Sequence, residues 1–174
     1  TSAICDDNVF KFQLSDGAVV AQDRITAGRF GTRSGVLDCC SDGNGGVYFA
    51  VCGQSIDGNP PVNIDGSPYE FYSVAHYDSS FTRLDNIGCN EICYAICIDG
   101  DKNLYTAGTG CTAELDNGCD VEWTVKKYSP SGVLLDGIYL PGASAIAWRG
   151  GFLYVGFSDT NVASPCNVVK LDLE

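Results

Sequence analysis

The sequence predicts an all-β protein, and three observations support this prediction. No window of twelve or more residues places apolar side chains at helical spacing without an interrupting glycine. Short apolar runs alternate with Asp-Gly, Ser-Gly and Asn-Gly turns about every ten residues, as they do in all-β folds. The runs also recur in the same order along the chain, which is typical of a repeat architecture.

The first run of each repeat consists of small apolar residues and ends in a turn. It occupies residues 36–40, 92–98 and 143–148, and the turns that follow are Asp42-Gly43, Asp99-Gly100 and Arg149-Gly150-Gly151. Small side chains are what the innermost strand of a β-propeller requires, because the blades converge at its axis. This run is therefore predicted to lie nearest to a shared centre.

Three further runs complete the predicted unit. The second is centred on Tyr48, Tyr105 or Tyr154, which are 57 and 49 residues apart, a spacing within the range of propeller blades. The third run occupies residues 72–77, 123–128 and 167–171, and the fourth is clearest at 133–139. We predict a β-propeller-like fold of about three and a half to four blades of antiparallel four-stranded sheets. A β-sandwich is the alternative.

The repeats divide a single predicted domain, residues 1–174, into four approximate units. These are residues 1–26, which form a partial unit, 27–88, 89–140 and 141–174. The sequence at 166–173 is similar to that at 7–14, and both are interpreted as a third strand, so the repeats start and stop within a unit. An unfinished sheet leaves an edge open to another strand. We expect either residues 1–6 to complete the ring, or a second copy to do so in a homo-oligomer.

Charge and hydropathy argue against two classes of partner. The chain has 22 acidic and 10 basic residues, for a formal net charge of −12, and its only adjacent basic pair is Lys126-Lys127. Nucleic-acid binding requires clustered Lys and Arg, so no nucleic-acid partner is expected. Since no apolar run approaches eighteen residues, no membrane insertion is expected either.

Ten cysteines suggest disulfides more than zinc. No Cys-x-x-Cys occurs, and Cys93 and Cys97 lie four residues apart in one predicted strand, too far apart to bind one zinc ion. An even number suits full pairing in an oxidising compartment, whereas cysteines in apolar runs also serve as small hydrophobic residues. The disulfide candidates are Cys111 with Cys119, Cys89 with Cys93, and Cys52 with Cys166.

One segment has oxygen ligands at alternate positions. Asp99, Asp101 and Asn103 are similar to the start of a calcium-binding EF-hand loop, but Leu104 and Gly110 stand where that loop needs Gly and Glu. Asp and Gly are also the ordinary residues of hairpin turns. These residues are a weak calcium candidate, and neither a resident metal nor a cofactor is expected.

Catalytic residues are not indicated. The one histidine, His76, lies inside a predicted strand, and no Gly-x-Ser-x-Gly occurs, so the chain is expected not to be an enzyme. A ligand site is suggested by aromatic residues in or beside the two long connections, which suit a glycan or protein receptor but which can instead cover the sheets. These candidates are Tyr69, Phe71, Tyr72 and Trp123.

Two stretches carry a resemblance to known repeats. Residues 101–108 followed by 125–135 resemble β-propeller repeats of the NHL and bacterial SBBP kinds, and residues 8–20 are similar to the PQQ-type repeat. Such repeats occur in bacterial surface proteins and in bacteriophage structural proteins. The resemblance implies a virion component, such as a decoration, fibre or tail-surface protein, that assembles with copies of itself or with other structural proteins. The alternatives are an extracellular adhesin that binds glycans or proteins and, less favoured, a small extracellular hydrolase.

Overall fold

A computed structural model of the protein describes residues 9–23, 35–52, 74–87, 91–110, 125–140, 142–157 and 168–172. These residues form β-strands and turns without a helix, which confirms the all-β prediction, and none of them forms a helix that could cross a membrane. The strands in chain order are β1 (Val9–Phe12), β2 (Val19–Asp23), β3 (Gly35–Ser41), β4 (Val47–Cys52), β5 (Val74–Tyr77), β6 (Arg83–Ile87), β7 (Glu91–Ile98), β8 (Leu104–Gly110), β9 (Val125–Tyr128), β10 (Leu134–Ile138), β11 (Ala143–Arg149), β12 (Phe152–Phe157) and β13 (Val168–Asp172).

The strands form four antiparallel sheets, and each sheet is built from strands that are consecutive in the chain. Sheet 1 is β1-β2, sheet 2 is β3-β4-β5-β6, sheet 3 is β7-β8-β9-β10, and sheet 4 is β11-β12-β13. The small apolar run, the tyrosine-centred run and the third run of the sequence therefore become the first, second and third strands of sheets 2, 3 and 4.

The same hairpin turn joins strands at four places. A residue with a short polar side chain opens each turn, and its N–H donates to the carbonyl oxygen four residues later, at 2.8–3.1 Å; these residues are Asp42, Asp78, Asp99 and Ser129. The residue three positions later has a positive φ in every case; these residues are Gly45, Phe81, Lys102 and Gly132. A short polar side chain suits the opening position because it accepts hydrogen bonds from amides of its own turn.

The β11–β12 hairpin of sheet 4 turns differently. Arg149 pairs with Phe152, so the connection is the two residues Gly150 and Gly151, whose φ angles are 60° and 86°. A two-residue hairpin turn with positive φ at both positions strongly favours glycine. Sheet 4 consequently has no acidic residue where Asp42 and Asp99 stand in sheets 2 and 3.

The first strand of each larger sheet has a β-bulge near its start. The pairing with the second strand shifts between Val36 and Asp38 in β3, and the corresponding shifts lie at Cys93/Ala95 and Ala143/Ala145. Across the boundary between sheets 2 and 3, the Ile96 N–H donates to Asp38 Oδ2 at 3.0 Å. The bulge therefore belongs to the repeat, and in sheet 2 the residue beside it bonds to the next sheet.

Successive sheets pack face to face through three hydrophobic clusters. The first joins sheets 1 and 2 and includes Val9, Val51, Ala75 and Tyr77. The second joins sheets 2 and 3 and includes Tyr48, Ala50, Val74, Ile87, Cys93, Ile96, Leu104 and Tyr128. The third joins sheets 3 and 4 and includes Tyr105, Ala107, Val125, Ala143, Leu153 and Val155. Sheets 2 and 3 are thus covered on both faces.

The two later boundaries use equivalent strands. At the boundary between sheets 2 and 3, β7 packs against β3 and β4; at the next boundary, β11 packs against β7 and β8. The first strand of each sheet therefore lies on the first two strands of the preceding sheet. The sheets are not closed into a ring within the described residues, and sandwich-like packing is also compatible with them.

The contacts between sheets 2 and 3 lead to a stability prediction. Leu104 is fully buried between them, so Leu104→Ala is expected to lower the free energy of unfolding by about 2–5 kcal/mol, since it removes apolar contacts and leaves a cavity. Leu134→Ala, at an exposed position of the same sheet, is the matched control and is expected to change it by less than about 1 kcal/mol. Urea unfolding measures both. Equal losses for the two variants would contradict this packing.

Candidate functional site

The first polar cluster joins the β3–β4 turn of sheet 2 to side chains of β4 and β5. His76 Nε2 is 3.1 Å from Asp42 Oδ2, and the His76 ring stacks on Tyr48 with ring centroids 4.2 Å apart. Asp42 and Tyr48 are buried, and His76 is mostly buried. The pairing register produces this arrangement, because Tyr48 in β4 lies directly opposite His76 in β5.

The Asp42 carboxylate is also bound within its own turn. Its Oδ1 accepts hydrogen bonds from the amides of Asn44, at 2.7 Å, and Gly46, at 2.8 Å. Burial by itself raises the pKa of Asp42, but these amides and the His76 ring outweigh it and hold the pKa below its ordinary value. Burial, with the nearby Asp42 carboxylate, raises the pKa of Tyr48. The cluster therefore favours an ionised Asp42 beside a protonated Tyr48.

Sheet 3 has the same cluster with lysine in place of histidine. The Asp99 carboxylate accepts a hydrogen bond from Tyr105 Oη at 3.2 Å and lies 4.0 Å from Lys127 Nζ. Lys127 Nζ is 5.5 Å from the centroid of the Tyr105 ring, and the two residues are opposite each other in β8 and β9. Burial raises the pKa of Tyr105, and the nearby Asp99 carboxylate raises it further. A turn acid, a second-strand tyrosine and a third-strand base thus recur together.

The base occupies one position of a motif that occurs four times. Each third strand, and β1 of sheet 1, reads Val, any residue, then Lys or His; the basic residues are Lys11, His76, Lys127 and Lys170. Lys11 Nζ donates to the carbonyl oxygen of Ser79 at 2.6 Å, and Lys170 Nζ lies 3.4 Å from the centroid of the Phe152 ring. His76 and Lys127 therefore contact turn acids, whereas Lys11 and Lys170 contact other groups.

The Asp42–His76 pair resembles part of a hydrolytic triad in chemistry. A carboxylate that orients an imidazole activates a nucleophile only if a hydroxyl or thiol lies within hydrogen-bond reach of the ring. In the described part of the chain, His76 forms its hydrogen bond with Asp42 and places its ring on Tyr48, and no Ser, Thr or Cys is bonded to it. Within the described residues, the Asp42–His76 pair therefore joins the β3–β4 turn to β5 and orients no nucleophile.

The calcium candidates lie in the turn between β7 and β8. Asp99 Oδ1 accepts hydrogen bonds from the amides of Asp101 and Asn103, and its Oδ2 accepts one from Asn103 Nδ2 at 2.9 Å. Protein donors therefore occupy both carboxylate oxygens of Asp99, while Asp101 is exposed. Among the residues that the structure describes, no group of three or more His, Cys, Asp or Glu is placed to hold a metal ion.

Four described cysteines are free thiols: Cys39, Cys40, Cys93 and Cys97. The Cys93 thiol is buried and donates to the carbonyl oxygen of Ala95 at 3.4 Å, so the structure shows Cys93 unbonded to another sulfur. Burial raises the pKa of Cys40 and of Cys97 to about 12, and it raises that of Cys93 as well. Cys40, Cys93 and Cys97 act as small apolar side chains of β3 and β7, whereas Cys39 is exposed.

The other disulfide candidates and the aromatic candidates are not described. Cys89, Cys111, Cys119 and Cys166 lie outside the described residues, as does the side chain of Cys52, and so the proposed pairings stay predictions. The aromatic candidates Tyr69, Phe71, Tyr72 and Trp123 lie outside them too. The ligand face that they suggest stays a prediction.

A small cleft lies between sheets 3 and 4. Its volume is about 180 Å³, and its lining includes Lys126, Lys127, Asp136, Leu171 and Asp172. Sites for drug-sized ligands are typically about 300–1,000 Å³. The cleft therefore fits water or a small ion better than an organic substrate.

No family model and no curated protein matches the chain.

The sequence places His76 inside a predicted strand but does not reveal its partner. Asp42 was visible only as part of a turn, and Lys127 only as part of a basic pair. Aligning the third runs on Val74 and Val125 would have shown that His76 and Lys127 are equivalent. The pairing of each with a turn acid needs the strand register, which the sequence does not specify by itself.

The Asp42 cluster leads to a pH prediction. Because the folded pKa of Asp42 lies below its ordinary value of 3.8, the stability it contributes is fully present above about pH 4 and is lost as the pH falls through the folded pKa. Asp42→Asn is therefore expected to lower the free energy of unfolding by about 1–3 kcal/mol at pH 7, with the difference shrinking under acid. Urea unfolding from pH 3 to pH 7 measures this.

The matched control is Asp78→Asn, at the equivalent turn of β5 and β6. Asp78 also accepts amide hydrogen bonds, from Ser80 and Thr82, but its turn has no paired histidine. The loss at pH 7 is expected to be smaller than for Asp42→Asn. Equal losses would show that the turn amides, rather than His76, account for the effect.

The Asp99 turn leads to a metal prediction. Since its oxygens bond to protein donors, neither added Ca²⁺ nor a chelator is expected to shift the thermal midpoint of the wild-type chain. Asp99→Ala is expected to lower that midpoint equally with and without Ca²⁺, because it removes turn hydrogen bonds. Differential scanning calorimetry tests both statements. A midpoint that Ca²⁺ raises in the wild type but not in Asp101→Asn would instead establish a calcium site.

Proposed function

We propose that the chain is a non-enzymatic structural and contact module whose sheets are successive blades of a propeller-like fold. The repeated packing of a first strand on the first two strands of the preceding sheet supports this fold. The small residues of β11, such as Ala143, Ala145 and Ala147, also suit a crowded axis. A sandwich needs only two facing sheets, whereas here four sheets follow one another.

One observation carries the non-enzymatic part of the proposal: His76 has a lysine at the equivalent position of every other sheet. Lys127 holds the same place beside a turn acid and a tyrosine, although an ordinary lysine, unlike histidine, does not titrate near neutral pH. What the two residues share is a positive charge or a hydrogen-bond donor beside a buried carboxylate. Such a donor stabilises a turn and a sheet boundary, which is a structural role.

The narrower assignment follows the sequence resemblance. We propose a virion component outside the cytoplasm that assembles with copies of itself or with other structural proteins. The adhesin alternative depends on Tyr69, Phe71, Tyr72 and Trp123, so no contact within the described residues favours it. Acidic surfaces keep such modules soluble until they assemble.

The proposal is tested by activity and by imaging together. The purified chain is assayed on ester, glycoside and peptide substrates, and no turnover is expected; His76→Ala is expected to lower stability instead. Lys127→Ala is the matched control, because it changes the equivalent position of sheet 3. Turnover that His76→Ala abolishes and Lys127→Ala preserves would overturn the proposal. Electron microscopy of native particles containing the chain is expected to show ordered copies in contact with structural neighbours.

A further inference from the structure

A valine of the third strand marks the face that each sheet turns to the next one. Aligned on the Val-x-(Lys/His) motif, the four valines are Val9, Val74, Val125 and Val168. The first three are 3%, 0% and 3% exposed, and each belongs to the cluster that joins its sheet to the following sheet. Val168, in the last sheet, is 60% exposed.

Tyrosines of the second strand show the same difference. Tyr48 and Tyr105 are buried under sheets 3 and 4 respectively, while Tyr154 in sheet 4 is only half-buried. Tyr154 lies opposite Lys170, just as Tyr105 lies opposite Lys127. The exposed face of sheet 4 therefore carries the same kinds of side chain as the faces of sheets 2 and 3 that the following sheet buries.

The residue after the base marks the opposite face, which each sheet turns to the preceding one. At this position Tyr77 is 0% exposed and Tyr128 is 3% exposed, and Leu171 packs against the third cluster. In sheet 1 the equivalent residue is Phe12, which is 54% exposed. The outward face of sheet 1 therefore lacks the cover that the other sheets provide for one another.

The two marked faces meet at every internal boundary. Val9 shares a cluster with Tyr77, Val74 shares one with Tyr128, and Leu171 packs against the cluster that contains Val125. A valine face always meets a face carrying an aromatic residue or leucine one sheet further along. Two faces are not covered in this way: the valine face of sheet 4, which carries Val168, and the aromatic face of sheet 1, which carries Phe12.

We propose that a second copy of this chain covers these faces, with the Val168 face of one copy packed on the Phe12 face of the other. This inference rests on the proposed function and names its partner. Sheet 1 packs on sheet 2 and sheet 4 packs on sheet 3, so two four-stranded sheets separate the two open faces. In the proposed arrangement the second copy supplies the complementary face. Two different surfaces make contact, so the assembly is head-to-tail and forms a closed ring or a filament.

Sedimentation velocity over a range of concentrations tests the proposal. The wild-type chain is expected to self-associate, and more strongly at high salt, because salt screens the repulsion between copies of charge −12. Val168→Glu and Phe12→Glu each place a charge in the contact and are expected to weaken association roughly a hundredfold. Leu135→Glu is the control, since Leu135 is equally exposed but lies on β10, outside both faces.

Mixing the two variants tests the head-to-tail arrangement. Val168→Glu keeps an intact Phe12 face, and Phe12→Glu keeps an intact Val168 face, so the mixture is expected to form a heterodimer with one junction at wild-type affinity. A contact between two identical faces would not be restored by mixing. Should either glutamate variant fail to fold, as judged by urea unfolding, Val168→Ser and Phe12→Ser replace them.

Three results would overturn the inference. They are a wild-type chain that stays monomeric at all concentrations, a control variant that loses association as fully as the two test variants, and a Phe12→Glu variant that loses stability without any change in association. The last result would mean that the faces close within one chain. None of these would by itself overturn the contact-module proposal, which fails on turnover that depends on His76.

Discussion

The packing of each sheet on its neighbour is the constraint on which the rest of the structure depends. A small antiparallel sheet has little stability alone, because it buries too little apolar surface. Here sheets 2 and 3 each have apolar side chains on both faces, such as Val74 and Tyr77 in β5, and both faces are covered. The alternating direction of strand side chains makes this arrangement possible, since successive residues point to opposite neighbours.

The polar clusters follow from the same packing. A turn acid that is buried beside the next sheet needs a donor, and the third strand supplies one at the position opposite the tyrosine, as His76 or Lys127. Where the turn has no acid, as at Gly150-Gly151, Lys170 lies over the Phe152 ring instead. The histidine is thus one form of a repeated structural position, which explains why its acid partner has a counterpart in sheet 3.

Much of the fold could be predicted from the sequence, because strand periodicity and turn residues are local signals. The tyrosine-centred runs became β4, β8 and β12, and the match between residues 7–14 and 166–173 placed β1 and β13. The side-chain pairs could not be predicted, since they depend on register and on bulges. Phe81 is an example: it adopts a left-handed φ of 64° without glycine, and its ring stacks on Tyr77 at 4.9 Å, a contact that only the folded sheet provides.

The hairpin turns at one end of the stacked sheets restrict the length of the chain there. In an up-and-down sheet, alternate connections lie at the same end of the strands, so the turns at Asp42 and Asp78 share one end of sheet 2. At the matching end of sheet 3, Lys102 bonds to Asn44 of the Asp42 turn. Hydrogen bonds and φ angles fix the length of those turns. An insertion in any of these turns would remove its closing hydrogen bond and its left-handed residue, so new recognition sequences are expected to be poorly tolerated at this end of the strands.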